Sequence, residues 1–421
     1  MTGASTFLEQ LADARARSDA LFSTLRADAW LARPLAERHR LIFYLGHLEA
    51  FDWNLLVGGP PRHAHFEQLF AFGIDPLDDL PRDQPSDWPA LQAVDAWRRE
   101  ARADVEARTA IPRGHQRIAI EHRLMHVETL SYLFEQLGPG MREVDAPAPD
   151  QRPAPEQAWR EIPAGPVTLG LESASAPDVG WCNEYEAHPV TVPAFRIEAR
   201  KTSHADWLAF IDAGGYRRPE LWSADDFAWI QREAIAAPSR WIRRGSDWTL
   251  WIGGVELPLP PGWPAYVSHA EAKAYACFRG ATLPTEAQWH RAVHGTPEGK
   301  TRSFPWGEAA PEPGVHGNFG FSAPIPTRIG AHPAGQSAFG LDEPVGNGWE
   351  WTRTAFAPFE GFRLDPAYPG YSQPFFDGRH AVLAGASAVT ALPLLRRSFR
   401  NWYQPHYRAA FATVRLVEGN P

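Results

Sequence analysis

Apolar positions in the first 140 residues recur with a helical period. Phe7, Leu8, Leu11, Leu21, Phe22 and Leu25 fall on one face of a first helix. The stretch "ERHRLIFYLGHLEAFDWNLL" carries a second helix through Ile42, Phe43, Leu45 and Phe51, and Gly58, Gly59, Pro60 and Pro61 stop it. A Pro- and Asp-rich loop at 73–89, "GIDPLDDLPRDQPSDWP", precedes a third helix over residues 89–108, and a fourth contains "IAIEHRLMHVETL" at 118–130. The pattern predicts a four-helix bundle over 1–144, an architecture that commonly builds metal sites from side chains on facing helices.

Over 145–157 the chain reads "DAPAPDQRPAPEQ", in which Pro147, Pro149, Pro153 and Pro155 forbid regular structure and favour an extended linker. Beyond it, over 158–421, the pattern shifts to short apolar runs such as "GPVTLGL", "HPVTVPAFRIEA" and "RHAVLAGA". These are broken by Gly-, Pro- and Trp-rich loops, with helical pieces at "SHADWLAFIDAG" and "SHAEAKAYACFRG". The expected fold class is α+β and multidomain: a helical bundle, a linker, and a loop-rich mixed domain.

Composition changes this picture little. A chain of 421 residues is too long for one core, which agrees with two domains. The net charge of −9 comes without a basic patch, which argues against nucleic-acid binding. No run approaches the roughly 18 apolar residues of a membrane span, and the N-terminus lacks a basic region followed by an apolar one, so a cytoplasmic protein without a membrane partner is expected. Cys182 and Cys277 are the only cysteines, and they are expected to be free thiols.

The chemistry centres on His122 and His126, four residues apart on the fourth helix and therefore on nearly one stripe. Glu128, two residues further on, points to the other side, so a third ligand must come from another helix. His47, mid-helix among Phe43, Tyr44 and Phe51 with Gly46 beside it, is the candidate. Three neutral imidazoles would leave the remaining positions of an ion open, which suits dioxygen chemistry on iron as well as zinc hydrolysis. His63 and His65, alternately spaced in a Pro-flanked stretch, read as a solvated surface pair.

The successive stretches "EIPAGPVTLG", "ATLPTEAQWHRAV", "FPWG", "GNFG", "VGNGWEWT" and "FATVRLV" resemble, in order, the signatures of the formylglycine-generating-enzyme (sulfatase-modifying factor) fold. No cysteine follows Cys277, so the late cysteine pair of formylglycine generation is missing. Trp349, Glu350 and Trp351 belong to a fold signature and read as core packing with a buried polar contact. The bundle, with "HRLMHVE", resembles a DinB-like module. Fused ahead of such a domain, it resembles the non-haem iron sulfoxide synthases of ergothioneine and ovothiol biosynthesis.

That resemblance implies Fe(II) on His47, His122 and His126, with hercynine, a chalcogen donor and O2 as small-molecule substrates. "SFRNWYQPHYRAAFATVRL" parallels the family's Arg-Asn-Trp-Asp-x-Pro segment and implies substrate contacts from Asn401, Trp402 and Tyr403. "LDPAYPGYSQPFF" offers Tyr368 and Tyr371 as proton donors, and Met125 stands where the family has a substrate-side Gln. Tyr403 replaces the acid of members that use gamma-glutamylcysteine, and the loop at 73–89 lacks their arginines. A neutral donor fits such a site better than a charged one, because buried ions need partners. The pattern is similar to the selenoneine synthase branch, which joins hercynine to a selenosugar. A sulfur donor, cysteine or gamma-glutamylcysteine, is the alternative; a lectin-like binding protein and a zinc-dependent thiol transferase are readings from other classes.

Overall fold

The computed structural model describes residues 6–60, 63–71, 81–144, 148–176, 178–323 and 325–419. Residues 73–80 of the Pro- and Asp-rich loop and 145–147 of the expected linker lie outside the described residues. The chain divides into two compact units, Met1–Ala146 with Gly253–Val255, and Pro147–Ile252 with Glu256–Pro421.

The first unit is helical: α1 (Phe7–Ser23), α2 (Leu41–Leu56), α3 (Ala64–Phe70), α4 (Leu91–Glu106) and α5 (Arg113–Phe134). Helix α1 opens on a capping box, in which the Thr6 hydroxyl accepts the Glu9 amide and the Glu9 carboxylate accepts the Thr6 amide. Helix α4 buries a single stripe of Val94, Trp97, Ala101 and Val105. The seven-residue α3 was not foreseen, since two turns are too short to display a period, and it docks through Phe66 and Phe70 against Trp97. His63 and His65 at its start are exposed.

Helices α2 and α5 are buried on nearly all sides and still carry charge. The Arg123 guanidinium, fully enclosed, donates to Asp52 Oδ2 at 2.6 Å, Glu49 Oε2 at 3.0 Å and the Leu48 carbonyl at 3.1 Å. Arg102 of α4 bridges Glu49 (2.6 Å) to Asp19 of α1 (2.6 Å), and Arg98 reaches Asp19 at 2.7 Å. Burial alone would raise the Glu49 carboxyl, but Arg123 and Arg102 overcome it and hold Glu49 well below the usual carboxylate range. Four helices are thereby tied through one network of ions, enclosed at Arg123, Glu49 and Asp52 and reaching the surface at Asp19.

The second unit is mixed and rich in loops. Strand β1 (Trp159–Ile162) pairs antiparallel with β4 (Phe195–Glu198), which is followed in the sheet by Val417–Glu418 and Ala281–Thr282. Strands β2 (Gly165–Leu169) and β3 (His188–Val192) form a separate antiparallel pair. A second four-stranded sheet runs Asn401–Tyr403, Ala381–Ala384, Trp349–Ala355, Ala412–Thr413. Ile162, Ile197, Trp289, Phe319, Leu341 and Val417 share one core cluster. Glu350 is fully enclosed and accepts from Lys201 Nζ (2.6 Å), Trp289 Nε1 (2.7 Å) and Arg415 Nη2 (2.9 Å). Cys182 and Cys277 carry free thiols. Among the described residues, no helix is long and apolar enough to cross a membrane.

Removing Arg123 takes from Glu49 and Asp52 the cation that hydrogen-bonds both, and leaves them only Arg15 in common, at 3.9 and 3.8 Å. Arg123→Leu is expected to destabilise the protein by about 3–5 kcal/mol, the usual cost of breaking a buried ion pair on one side. Urea unfolding of the variant against the parent measures this directly.

Candidate metal centre

His47 on α2 faces His122 and His126 on α5, and all three are buried. Ring centroids lie 5.4 Å (His47–His122), 5.0 Å (His47–His126) and 4.5 Å (His122–His126) apart. One ring nitrogen from each falls within 4.8 Å of the others, and this is the group of three potential ligands found among the described residues. Glu128 is buried but does not join it.

The local sequence fixes each ring. The Phe70 carbonyl, at the end of α3, accepts from His47 Nδ1 at 2.8 Å, which leaves the Nε2 lone pair of His47 directed elsewhere. His47 Nε2 is buried and has no hydrogen-bond partner in the fold. Phe43, one turn earlier on α2, stacks on His47 at 4.9 Å, and Phe51 lies flat on His122 at 3.5 Å and 11°. Gly46 is what admits Phe70: a Cβ there would stand 2.5 Å from the Phe70 ring.

His126 Nε2 and His122 Nε2 are 3.2 Å apart. Two neutral imidazoles at that separation share either one proton or one cation. Two nitrogens bound at about 2.1 Å and 90° to one ion lie about 3 Å apart, so the pair fits adjacent positions of an octahedral metal. Burial keeps the lone pairs available. It lowers His47 to about 4, against the opposing Phe70 carbonyl, and pushes His122 and His126 well below the usual histidine range, helped by the neighbouring histidines and Arg123. An orphaned buried acceptor and two converging nitrogens are what a transition metal would satisfy. Met125, half-buried, immediately precedes His126 on α5.

The other expected site residues lie in the second unit. Asn401, Trp402 and Tyr403 form one strand, with Trp402 opposite Val382 and Tyr403 opposite Ala381. Strand alternation sends Trp402 to one face and Asn401 and Tyr403 to the other. Trp402 lies flat on Phe356 (4.1 Å, 7°), with Tyr371 at 5.4 Å and Phe375 at 5.6 Å. Tyr371 in turn stacks on Trp181 at 4.1 Å, with Tyr368 at 5.8 Å. Asn401 Oδ1 accepts from the Trp402 amide at 2.9 Å, and Tyr403 stacks on Tyr407 at 4.7 Å. The segment is anchored at its start by Arg400 on Glu286 (2.8 Å) and further along by His406 on Asp226 (2.8 Å). The structure therefore gathers Trp402, Tyr371 and Tyr368 into one aromatic cluster and turns Asn401 and Tyr403 away from Trp402. Phe356, Phe375 and Trp181 were not anticipated, because they come from loops with no periodic signal.

Two relatives span nearly the whole chain. The hercynine oxygenase of Mycolicibacterium smegmatis is 35% identical over 389 residues, covering 90% of this chain and 83% of the relative. That of Mycolicibacterium thermoresistibile is 37% identical over 395 residues, covering 90% and 86%. The chain belongs to the hercynine oxygenase family. As a hercynine oxygenase family member it is an enzyme, and residues 144–419 match the Sulfatase-modifying factor enzyme 1-like domain. The formylglycine-generating enzyme of Bos taurus is 30% identical over 240 residues, covering 50% of this chain and 62% of that one.

Gly46→Ala should displace Phe70 and loosen its hold on His47. Loss of such an outer partner typically costs about 10- to 100-fold in metal affinity, which competition against a chromophoric chelator would read as a weaker Fe(II) or Zn(II) constant in a folded protein.

Proposed function

We propose that the protein is an oxygen-dependent non-haem iron enzyme that joins the imidazole carbon of hercynine to the sulfur of a thiol, cysteine or gamma-glutamylcysteine, and oxygenates that sulfur to a sulfoxide. The observation that carries this reading is a buried cluster of three neutral imidazoles in a chain whose near-full-length relatives are hercynine oxygenases. Fe(II) held by His47, His122 and His126 would supply dioxygen binding and activation, with positions left over for substrates.

The remaining work falls to the chain's own side chains. Phe43 and Phe51 hold two of the imidazole planes, so the ligand set is preorganised before any metal arrives. The trimethylammonium of hercynine cannot donate a hydrogen bond, which makes aromatic faces its natural partners, and Trp402 is the proposed one. Tyr371, buried against Trp181, is the proposed proton donor through its phenolic O–H, with Tyr368 as the alternative. Asn401, Tyr403 and Met125 are proposed to contact substrate.

A second reading is favoured by one feature of the sequence. Tyr403 stands where thiol-using relatives place an acid, so a donor's ammonium group would lose its partner. A neutral selenosugar escapes that cost, and the reaction would then form a carbon–selenium bond in selenoneine biosynthesis.

Anaerobic Fe(II) loading followed by oxygen uptake tests both. Uptake should require iron, hercynine and a donor together, and His47→Ala should lower it at least about 100-fold, a loss on the scale of a missing transition-state contribution. A higher rate with the selenosugar than with cysteine and gamma-glutamylcysteine at equal concentration selects the second reading. No uptake with any donor in the iron-loaded protein rejects both.

A further inference from the structure

Aromatic side chains lead outward from His47 to a single indole. Phe43 stacks on His47 at 4.9 Å, and Trp88, which closes the short turn Pro85–Asp87 ahead of α4, meets Phe43 edge-on at 6.3 Å. A second route joins the same two residues: the Phe70 carbonyl accepts from His47 Nδ1 at 2.8 Å, and the Phe70 ring lies 6.2 Å from Trp88. Trp88 is half-buried, so both routes end at the protein surface. Its Nε1 donates to Asp83 Oδ2 at 2.7 Å, and Arg33 and Arg40 donate to the same carboxylate. Burial opposes ionisation of Asp83, but the Trp88 bond and the two arginines hold it below the usual carboxylate range.

Rings in contact carry electrons without any open channel. Phe43 and Phe70 are hard to oxidise and serve only as packed medium, whereas an indole is among the side chains most easily oxidised. Trp88 is therefore the first electron source met along both routes. The ionised Asp83 against its N–H favours the positive charge that an electron leaves behind, since opposite charges attract strongly at hydrogen-bond distance. Two comparisons set Trp88 apart. Trp53 makes a similar bond to Asp104 Oδ2, at 3.0 Å, but among the described residues it has no ring contact with the histidines or their stacking partners. Tyr44 lies 6.1 Å from His126 but is fully enclosed, with no outlet to a reductant in solvent.

We propose that Trp88 is a redox-active side chain which gives up an electron, and so spares the imidazoles, when oxygen is activated at a metal held by His47, His122 and His126 with no donor bound. The inference rests on the proposed function for iron and an oxygen-derived oxidant, and not for hercynine or the donor. One electron leaves the indole and reduces that oxidant by one equivalent, which leaves a tryptophan cation radical. A thiol in solution returns the electron and releases its proton to solvent, and two thiyl radicals pair as a disulfide. Without a thiol a second electron follows, water adds its oxygen to the ring, and two protons pass to solvent, leaving hydroxytryptophan.

The test uses the full-length protein loaded with Fe(II) and treated anaerobically with hydrogen peroxide, without hercynine or thiol, so it needs no turnover of the proposed substrates. Freeze-quenched samples should give a radical signal that narrows when the tryptophan rings are deuterated, and that falls at least fivefold in Trp88→Phe. Peptide mass spectrometry should find oxygen from isotopically labelled water on Trp88 at least fivefold more than on Trp53. Phe43→Leu and Asp83→Asn should each lower both readings at least threefold. Under O2 without a donor, oxidised histidine should accumulate at His47, His122 and His126 at least threefold faster in Trp88→Phe than in the parent. Should Trp88→Phe fail to fold, Trp88→Tyr keeps an oxidisable ring and should move the signal to tyrosine. A tyrosine signal in the parent, no radical at all, a tryptophan signal that survives Trp88→Phe, or oxygen on Trp88 that comes from peroxide overturns the proposal and leaves Trp88 as packing. Protein that takes up no iron rejects both this proposal and the proposed function. Absence of oxygen uptake with hercynine and every donor counts against the proposed reaction and leaves the peroxide result to judge Trp88 separately.

Discussion

Arg123 between Glu49 and Asp52 is the interaction on which the metal centre depends. Buried ion pairs seldom stabilise a fold beyond what apolar residues of equal volume would give, because desolvation offsets the attraction. In some folds they set register instead. Helix α2 is apolar over most of its surface and α5 carries polar and charged residues along its length, yet both are buried on nearly all sides. In the arrangement observed, Arg123 meets both acids and the Leu48 carbonyl, whereas a shift of one turn would strand charge in the core. Glu49 lies two residues beyond His47, and Arg123 directly follows His122. The register that pairs the ions is therefore the register that turns His47 toward His122 and His126.

The same economy appears around the imidazoles. Phe70 touches His47 through its carbonyl and fills the notch over Gly46 with its ring, so one residue sets both the proton position and the packing. Burial that would be costly for a charged histidine suits a neutral ligand. In the second unit, Glu350 plays a part comparable to the acids of the first: Lys201, Arg415 and Trp289 converge on it, and its strand lies in the same sheet as the one carrying Trp402. The three histidines and Trp402 thus lie on elements tied to enclosed charge, whereas Tyr368 and Tyr371 come from the irregular segment ahead of Ala381–Ala384.

The long helices and the histidine pair were legible because they are periodic. Phe7 to Leu25, the run through Phe51 and the i, i+4 spacing of His122 and His126 all express the 3.6-residue repeat. Matching signatures from 158 onward gave the mixed second unit by resemblance, where short strands with little alternation gave almost no period to follow. Helix α3 escaped notice since seven residues hold no repeat, and with it went the Phe70 carbonyl that orients His47. Glu49, Asp52 and Arg123 read as ordinary polar positions on amphipathic helices; only the packing of four helices shows them enclosed together. The opposite facing of Trp402 and Tyr403 follows from a three-residue strand that the sequence "RNWYQP" does not announce.

The central claim, that His47, His122 and His126 together bind one metal ion, is tested most directly by X-ray absorption at the iron edge of the Fe(II)-loaded protein. The account predicts a first shell containing three imidazole nitrogens at about 2.1 Å, reduced to two when His47 is replaced by Ala. A shell of oxygen donors without imidazole scattering, or a shell unchanged by His47→Ala, would contradict it.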